Sequence, residues 1–230
     1  SYACAQQCRF CFRREKTGCA TRGPSDEDFV KMANYIRLHP EIKEVILSGG
    51  DPLMLVDARL NFVLALFSSI ETVERIRIHT RMPVVLPGRI TPELCQIFST
   101  QIKPLTIVTH FNHARELVDE NILALKVLQV AGVKIKNQTV LLKGVNDQSN
   151  ALAELFRKLL DNRVELYYLH QLDLAEGTNH FRVSLEKGKA LMAEMRKMFP
   201  LGQLPRYVLD IPGGGGKILI ESEQVSLLDN

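Results

Sequence analysis

Short runs of β-branched and aliphatic residues alternate along the chain with longer amphipathic stretches. Each run is typical of a buried strand, and the stretches between them repeat apolar residues with the period of a helix. Ser25 is placed to cap the first helix, Thr91-Pro92-Glu93 is a typical helix start, and Gly132 is placed to end another helix. The predicted strands are EVILSGG (44–50), RIRIHT (75–80), LTIVTHF (105–111), VKIKNQTVLL (133–142), VELYYLHQLD (164–173) and RYVLDI (206–211).

This alternation predicts an α/β fold with parallel strands and outer helices. Repeating units of roughly 30–40 residues imply right-handed crossovers between neighbouring strands. The chain is short for a complete eight-unit barrel, so we expect a partial (β/α)6-type barrel. No linker divides the sequence, so residues 1–230 are predicted to be one domain. Polar residues follow most of the predicted strands, at the end that carries the chemistry in such barrels.

Composition narrows the possible partners. The chain has 230 residues, 46% hydrophobic and 24% charged, with a net charge of +3. This balance is typical of a globular protein and gives no reason to expect nucleic acid or anionic membrane as a partner. No apolar run approaches the roughly 20 residues of a membrane span. The cysteine count of 5 is odd and clustered, so a reducing cytoplasm is expected rather than a disulfide framework.

Three of the cysteines form a compact motif. Cys4, Cys8 and Cys11 follow the spacing C-x3-C-x2-C, which can wrap one metal centre. A structural zinc site needs four ligands, and His110 with His113 could supply the remainder, which would make a zinc-stabilised binding module. An iron–sulfur cluster is favoured, because three thiolates on a four-iron cubane leave one iron open for a ligand. Cys19 and Cys95 stand apart from this motif.

A glycine run near the carboxyl end, VLDIPGGGGKILI, displays Lys217 on a flexible backbone. It is not a P-loop, because Ile211 stands at the required glycine position and Ile218 at the required Ser or Thr position. It is not a dinucleotide fingerprint either, since an apolar run follows the glycines instead of a helix. Lys217 is therefore either a surface residue on a turn or an amine held close to a ligand.

The cysteine motif resembles that of the radical S-adenosylmethionine (SAM) superfamily. Phe10 provides the aromatic residue that this superfamily places between the second and third cysteines. The turn SGGDP (Ser48, Gly49, Gly50, Asp51 and Pro52) resembles its SAM-binding glycine turn. Further segments resemble the lysine 2,3-aminomutase family over almost the whole chain. These are CRFCFRR, ILSGGDPL, RIHTRMPVVLPGRIT, THFNH, NQTVLLKGVND, LDLAEGTNHFRVSLEKG and LDIPGGGGK.

The resemblance implies three cofactors and a set of site residues. A 4Fe-4S cluster would be bound by Cys4, Cys8 and Cys11. Lys217 would form a Schiff base with pyridoxal phosphate (PLP). SAM would contact Phe10, Ser48, Gly49, Gly50, Asp51, His110 and Gln138, and substrate would contact Arg13, Asp173 and Asp210. Without the resemblance, Asp51 reads as a turn residue, Arg13 as a surface arginine, and His110 with Gln138 as polar groups at strand ends.

The implied reaction converts L-lysine to β-lysine by 2,3-amino migration, with a flavodoxin or ferredoxin as reductant. A branch that makes β-lysine for translation elongation factor P, and aminomutases acting on glutamate or arginine, are alternatives within the family. Two aspartates, Asp173 and Asp210, at the ends of predicted strands favour a cationic substrate. The family generally has tyrosine where this chain has His170.

Two segments of the family pattern are not recognised in this sequence. The first holds the arginines that bind the PLP phosphate, upstream of the cysteines. The second is the carboxyl-terminal segment that helps family members form homo-oligomers. We therefore expect the sequence to be the middle of a longer protein, and a homo-oligomer when full length.

Overall fold

The computed structural model describes residues 2–17, 23–211 and 215–220. Within these residues the helices are α1 (Asp26–Leu38), α2 (Asp57–Ser68), α3 (Met82–Val85), α4 (Pro92–Ser99), α5 (Asp119–Val130), α6 (Ser149–Asp161) and α7 (Leu185–Met198). The strands are β1 (Glu44–Leu47), β2 (Arg75–His79), β3 (Leu105–Thr109), β4 (Lys134–Val140), β5 (Glu165–His170), β6 (Arg206–Ile211) and β7 (Gly216–Leu219).

The strands form a sheet in which they follow chain order from β1 to β7. The observed pairs among β1, β2 and β3, and among β4, β5 and β6, are parallel. Each of the first five strands is followed by a helix before the next strand begins. The predicted α/β fold with parallel strands and intervening helices is therefore confirmed. In the described part of the chain, no helix is both long and apolar enough to span a bilayer.

The chain divides into two compact units. The first comprises the described residues of Ser1–Gln7, Glu15–Thr109 and Val118–Ile135. Ile76 and Ile78 of β2 and Ile107 of β3 are buried there, as is the apolar face of α2. Each large aliphatic side chain buried in this way stabilises the fold by about 1.5–3 kcal/mol. The assignment of residues 1–230 to a single domain stays a prediction.

The second unit comprises the described residues of Cys8–Arg14, His110–Leu117 and Lys136–Asn230. Its core holds the apolar stripe of α6, where Leu152, Leu155, Phe156 and Leu159 are buried at helical spacing. Leu169 of β5 and the inner face of α7 are also buried. The cysteine loop, defined here as residues 8–14, belongs to this unit with β5, β6 and β7.

The helix starts agree with the sequence. Ser25 caps α1 with a capping box, in which its Oγ accepts from the Asp28 backbone amide at 3.1 Å and the Asp28 carboxylate accepts in return. Thr91 caps α4, with Pro92 at the first helical position. Gly132 has φ of 81°, the left-handed conformation predicted at the end of α5.

The carboxyl-terminal hairpin is a finding that the sequence did not predict. Strand β6 was expected to be the last, but β7 pairs antiparallel with it, placing Lys217 opposite Asp210. Gly216 has φ of 78°, a conformation that glycine adopts without steric cost, so the chain can turn back after the glycine run. The catalytic candidate Lys217 is thus held on a strand.

Helix α7 packs on β6 through a glycine. A Cβ atom added at Gly188 would overlap the hydroxyl group of Tyr207, whose oxygen donates to Gln171 Oε1 at 2.6 Å. We expect Gly188→Ala to lower the free energy of unfolding by about 1–3 kcal/mol, because the helix or the tyrosine must move. Chemical denaturation would measure this. Gly202→Ala, where an added Cβ meets nothing within 4 Å, is the control and should be near neutral; equal losses in the two variants would contradict the explanation.

Candidate active site

The glycine turn after β1 lies against the chain segment that carries Cys4. The Asp51 backbone amide donates to the Ala3 carbonyl at 2.8 Å. A Cβ atom added at Gly50 would overlap the Ala3 backbone, and Gly49 has φ of 126°. Both glycines are therefore required by backbone geometry in this turn. Ser48 is exposed beside them.

Asp51 supports this turn with its side chain. It is 8% exposed, and its Oδ1 accepts from Thr80 Oγ1 at 2.7 Å and from the Leu53 amide at 3.0 Å. Its Oδ2 accepts from the Arg81 amide at 2.8 Å. Burial raises the pKa of Asp51, and these hydrogen bonds oppose the rise. These contacts give Asp51 the role of a turn residue that joins the ends of β1 and β2.

The cysteine loop contains tight hydrogen-bonded turns. The Cys11 amide donates to the Cys8 carbonyl at 3.1 Å, and the Arg13 amide donates to Cys11 Sγ at 3.4 Å. Cys4, Cys8 and Cys11 are half-buried and form no disulfide. The guanidinium group of Arg13 lies 4.7 Å from the centre of the exposed Phe12 ring. The loop thus presents two thiols and an arginine on a short, folded segment.

The loop after β3 is held beside the cysteine loop by buried amides. Asn137, 1% exposed, accepts from the Phe111 amide at 2.8 Å and donates to the Phe111 carbonyl at 3.1 Å. Asn146, fully buried, donates to the Asn112 carbonyl at 2.9 Å. The ring of His110 then lies 5.4 Å, centre to centre, from the ring of Phe10. Gln138 is half-buried on the opposite face of β4 from Asn137.

Asp210 is the centre of a charged cluster in the carboxyl-terminal hairpin. Its Oδ1 lies 2.6 Å from Lys217 Nζ, and its Oδ2 lies 3.1 Å from His170 Nδ1. The side chain of His170 is 12% exposed and that of Lys217 is 41% exposed. Burial raises the pKa of Asp210, but the hydrogen bonds to His170 and Lys217 outweigh it, so this pKa lies below its usual value. Asp210 is therefore an ionised counter-ion.

Asp173 is the second carboxylate of this cluster. Burial raises its pKa, and so does the negative charge of Asp210, while the charges of His170 and Lys217 oppose the rise. Two carboxylates in neighbouring environments thus have their pKa values shifted in opposite directions. This difference is typical of sites that bind a cation or transfer a proton.

The structure corrects two positions predicted from the sequence. Asp173 was placed at the end of a strand, but β5 ends at His170 and Asp173 lies in the following turn, where its carbonyl accepts from the Ala175 amide at 2.9 Å. Asp210 lies near the end of β6 as predicted, since β6 has the predicted bounds Arg206–Ile211. The polar run 136–139 was placed at a strand end, but it lies inside β4 with Asn137 and Thr139 buried.

The family model described as the Radical SAM superfamily matches residues 1–156. The chain belongs to the radical SAM superfamily.

Curated relatives of this chain are named L-lysine 2,3-aminomutase. This radical SAM chain is 45% identical over 215 residues to the L-lysine 2,3-aminomutase of Methanococcus maripaludis, covering 94% of the chain and 49% of that protein. It is 42% identical over 214 residues to the enzyme of Clostridium subterminale, covering 93% and 51%. For the Escherichia coli protein of the same name the identity is 37%, covering 93% and 62%. The resemblance predicted from the motifs is confirmed, and the chain spans about half the length of the first two relatives.

Solved radical SAM structures share the fold at low sequence identity. SuiB from Streptococcus suis bound to S-adenosylmethionine aligns with a TM-score of 0.66 and 13% identity, covering 100% of this chain and 64% of that one. Native anSMEcpe with bound AdoMet and a peptide aligns with a TM-score of 0.68 and 9% identity, covering 90% and 61%. These alignments concern the arrangement of strands and helices, and the predicted fold class agrees with them.

The donor set of the radical SAM chain fits an iron–sulfur cluster. Thiolates are the usual ligands of such clusters, and an amide hydrogen bond to a ligand sulfur, as at Cys11, is one of the contacts that tune them. Among residues 2–17, 23–211 and 215–220, no group of three His, Cys, Asp or Glu side chains is already arranged around a metal position. The joint role of the three cysteines stays a prediction, and Cys19 lies outside the described residues.

Two contributors to the site had no functional signal in the sequence. His170 was noted only as a departure from the family pattern, yet it contacts Asp210. Asn137 was passed over in favour of its neighbour Gln138, yet it holds the loop that carries His110. The strand pattern of β4 offered one clue, since an asparagine at a position facing the core needs a hydrogen-bond partner there.

Proposed function

We propose that this chain is the radical SAM core of a PLP-dependent aminomutase that converts L-lysine to β-lysine. Relatives of that name at 37–45% identity support the proposal, because each aligns with at least 93% of the chain. The activity is that of the full-length protein, since the chain spans about half of its first relatives. The motifs and the radical SAM membership favour this enzyme over a zinc-stabilised binding module.

The observation that carries the substrate proposal is the contact between Lys217 and Asp210. The primary ammonium group of Lys217 lies 2.6 Å from the Asp210 carboxylate. Asp173 is close enough for the charge of Lys217 to act on its pKa. A site that holds an alkylammonium group against one carboxylate, with a second carboxylate within electrostatic reach, suits the ammonium group of a lysine side chain. Burying that cation would be costly without such partners, and an acidic substrate would be repelled.

The cofactors and the side chains have separate tasks in this proposal. A 4Fe-4S cluster and SAM would supply radical chemistry, and PLP would supply an aldehyde that carries the migrating amino group. Cys4, Cys8 and Cys11 would hold the cluster. Phe10, Ser48, Gly49, Gly50, His110 and Gln138 would line the SAM position, with Asp51 fixing the turn beneath it. An external flavodoxin or ferredoxin would provide the electron.

The substrate is oriented by charges at both ends. The planar guanidinium group of Arg13 suits a bidentate contact with the substrate carboxylate. Asp173 and Asp210 would accept from its side-chain ammonium group. Lys217, on β7, is the amine that would bond to the PLP aldehyde, and His170 would keep the Asp210 carboxylate in place.

A competition assay tests this function. The full-length protein, reconstituted anaerobically with iron, sulfide, PLP and SAM, would be offered lysine, arginine and glutamate together. We expect β-lysine as the main product. β-Glutamate as the main product would refute the role of both aspartates, and β-arginine would retain the aspartates but change the substrate.

The acid pair gives a quantitative prediction. Asp173→Asn or Asp210→Asn should each weaken lysine binding or turnover by about 2–5 kcal/mol, because each variant leaves the substrate ammonium group with one carboxylate fewer. The measurement is kcat/KM for lysine in the reconstituted enzyme. Asp119→Asn, in the first turn of α5, is the control and should leave kcat/KM unchanged; an equal loss in that variant would contradict a specific role for the pair.

The pH dependence of folding stability should differ between variants of Asp173 and Asp210, and it can be measured without any cofactor. The folded pKa of Asp173 is raised, so its contribution to folding falls as pH rises from the usual value of 3.8 through the folded pKa. Asp173→Asn should therefore stabilise the chain at neutral pH. The folded pKa of Asp210 is lowered, so its contribution is present above 3.8 and is lost as pH falls through the folded pKa. Asp210→Asn should destabilise at neutral pH, as thermal unfolding would show.

A further inference from the structure

Two arginines tie the cysteine loop to the loop that follows β5. Arg14 Nη1 donates to the Gly177 carbonyl at 2.8 Å and to the Arg9 carbonyl at 3.3 Å. The guanidinium group of Arg9 lies 5.2 Å from the centre of the Phe181 ring, and its Nη2 lies 3.3 Å from His180 Nε2. The cysteine loop is therefore held through side chains as well as through its own turns.

The β5–α7 loop, residues 171–184, makes hydrogen bonds within itself and to the loop after β4. Thr178, 2% exposed, donates from Oγ1 to the Ala175 carbonyl at 2.6 Å. The Phe181 carbonyl accepts from the Lys143 amide at 2.8 Å. The Ala175 amide donates to the Asp173 carbonyl at 2.9 Å, and the Thr178 amide donates to the Ala175 carbonyl at 3.2 Å, so Asp173 and Gly177 lie in two consecutive turns that meet at Ala175.

Gly177 is required where it stands. Its φ is 70°, a conformation that disfavours every residue with a Cβ atom. A Cβ atom added there would also lie 2.8 Å from Arg14 Nη1. The glycine therefore lets the guanidinium group approach the backbone carbonyl closely, and a Cβ atom there would require that group to shift.

The contact at Arg14 reaches the cysteines through the backbone. The Arg14 amide donates to the Cys11 carbonyl at 3.2 Å, and the Cys11 amide donates to the Cys8 carbonyl at 3.1 Å. Fixing the side chain of Arg14 thus fixes the end of the turn that runs between the two thiols. A hydrogen bond from a charged group is among the stronger ones in proteins.

We propose that Arg14 is a positioning residue that fixes the Cys8–Cys11 turn on the β5–α7 loop. The loop that contains Asp173, the proposed substrate contact, thereby also sets the placement of two proposed cluster ligands. The contact itself does not depend on the proposed function. Only the assignment of Cys8 and Cys11 to a cluster rests on the proposed function.

Thiol reactivity in the cofactor-free chain tests this proposal. Site-resolved mass spectrometry would measure alkylation rates of Cys8 and Cys11 in Arg14→Gln, Arg14→Lys and Gly177→Ala. We expect both rates to rise about tenfold in Arg14→Gln and Gly177→Ala, as loss of a charged hydrogen bond allows. Arg14→Lys, which keeps the charge and a donor, should give a smaller rise. The buried Cys95 should react at an unchanged rate, which excludes general unfolding as the cause.

Arg182→Gln is the matched control, because Arg182 is an exposed arginine of the same loop. Rates in Arg14→Gln equal to those in Arg182→Gln would overturn the proposal. In the reconstituted full-length protein, Arg14→Gln should also release iron to a chelator about tenfold faster than Arg182→Gln. Faster alkylation in a protein that binds no cluster in any variant would support the positioning role of Arg14 and refute the proposed function, so the two failures are distinguishable.

Discussion

Cys8→Ala is expected to abolish iron–sulfur cluster binding and all cleavage of SAM in the full-length protein. A radical SAM cluster held by three thiolates has no spare protein ligand, so removing one leaves two irons open and the cluster is lost. The same result is expected for Cys4→Ala and Cys11→Ala. Turnover should fall to background in each variant, because the proposed cluster is the group that would pass the electron from the external reductant to SAM.

Visible absorption, iron content and formation of 5′-deoxyadenosine would measure this effect under anaerobic conditions. Cys95→Ala is the control. Cys95 is buried in α4, where burial raises the pKa of its thiol and so disfavours the thiolate form that binds metal. Bleaching of Cys95→Ala as complete as that of Cys8→Ala would show that the cysteines have been assigned wrongly.

Lys217→Ala is expected to remove the covalent bond between the protein and PLP and to lower turnover by a factor on the order of 10³ or more. The physical reason is that alanine has no amine that could bond to the aldehyde of PLP. Lys217 is the lysine that the hairpin places opposite Asp210, at the centre of the charged cluster. The variant should retain its iron–sulfur absorption.

Borohydride reduction in the presence of PLP, followed by peptide mapping, would locate the bond. The label is expected on Lys217 in the parent protein and absent in Lys217→Ala. Lys143→Ala is the control and should keep the label. Lys143 is an exposed lysine in the loop that follows β4. A label found on Lys143, or on Lys187, would refute the assignment.

The elements that depend on local sequence were predicted well. Ser25 and Thr91 mark helix starts because their side chains cap amides three residues ahead, an interaction within a single turn. Gly132 marks a helix end for an equally local reason, its positive φ. The parallel strand pairs followed from the alternation of strand and helix patterns, which allows few other arrangements.

The elements that depend on distant partners were predicted less well. The antiparallel pairing of β7 with β6 was not predicted, because the short apolar run 218–220 does not by itself indicate a partner strand or a direction. For the same reason, the contact between Lys217 and Asp210 could not be read from the sequence. Asn137 was overlooked because its partners, the backbone groups of Phe111, lie 26 residues away along the chain.

The sequence by itself determined the order of the long helices and of strands β1 to β6, the radical SAM motif and the identity of Lys217 as a distinctive amine. These depend on the periodicity and spacing of neighbouring residues. Only the tertiary structure decided that Asp210 contacts both His170 and Lys217, and that Arg14 reaches the carbonyl of Gly177. Such contacts join residues from separate strands and loops, and the distances between them are set by the packing of the whole sheet.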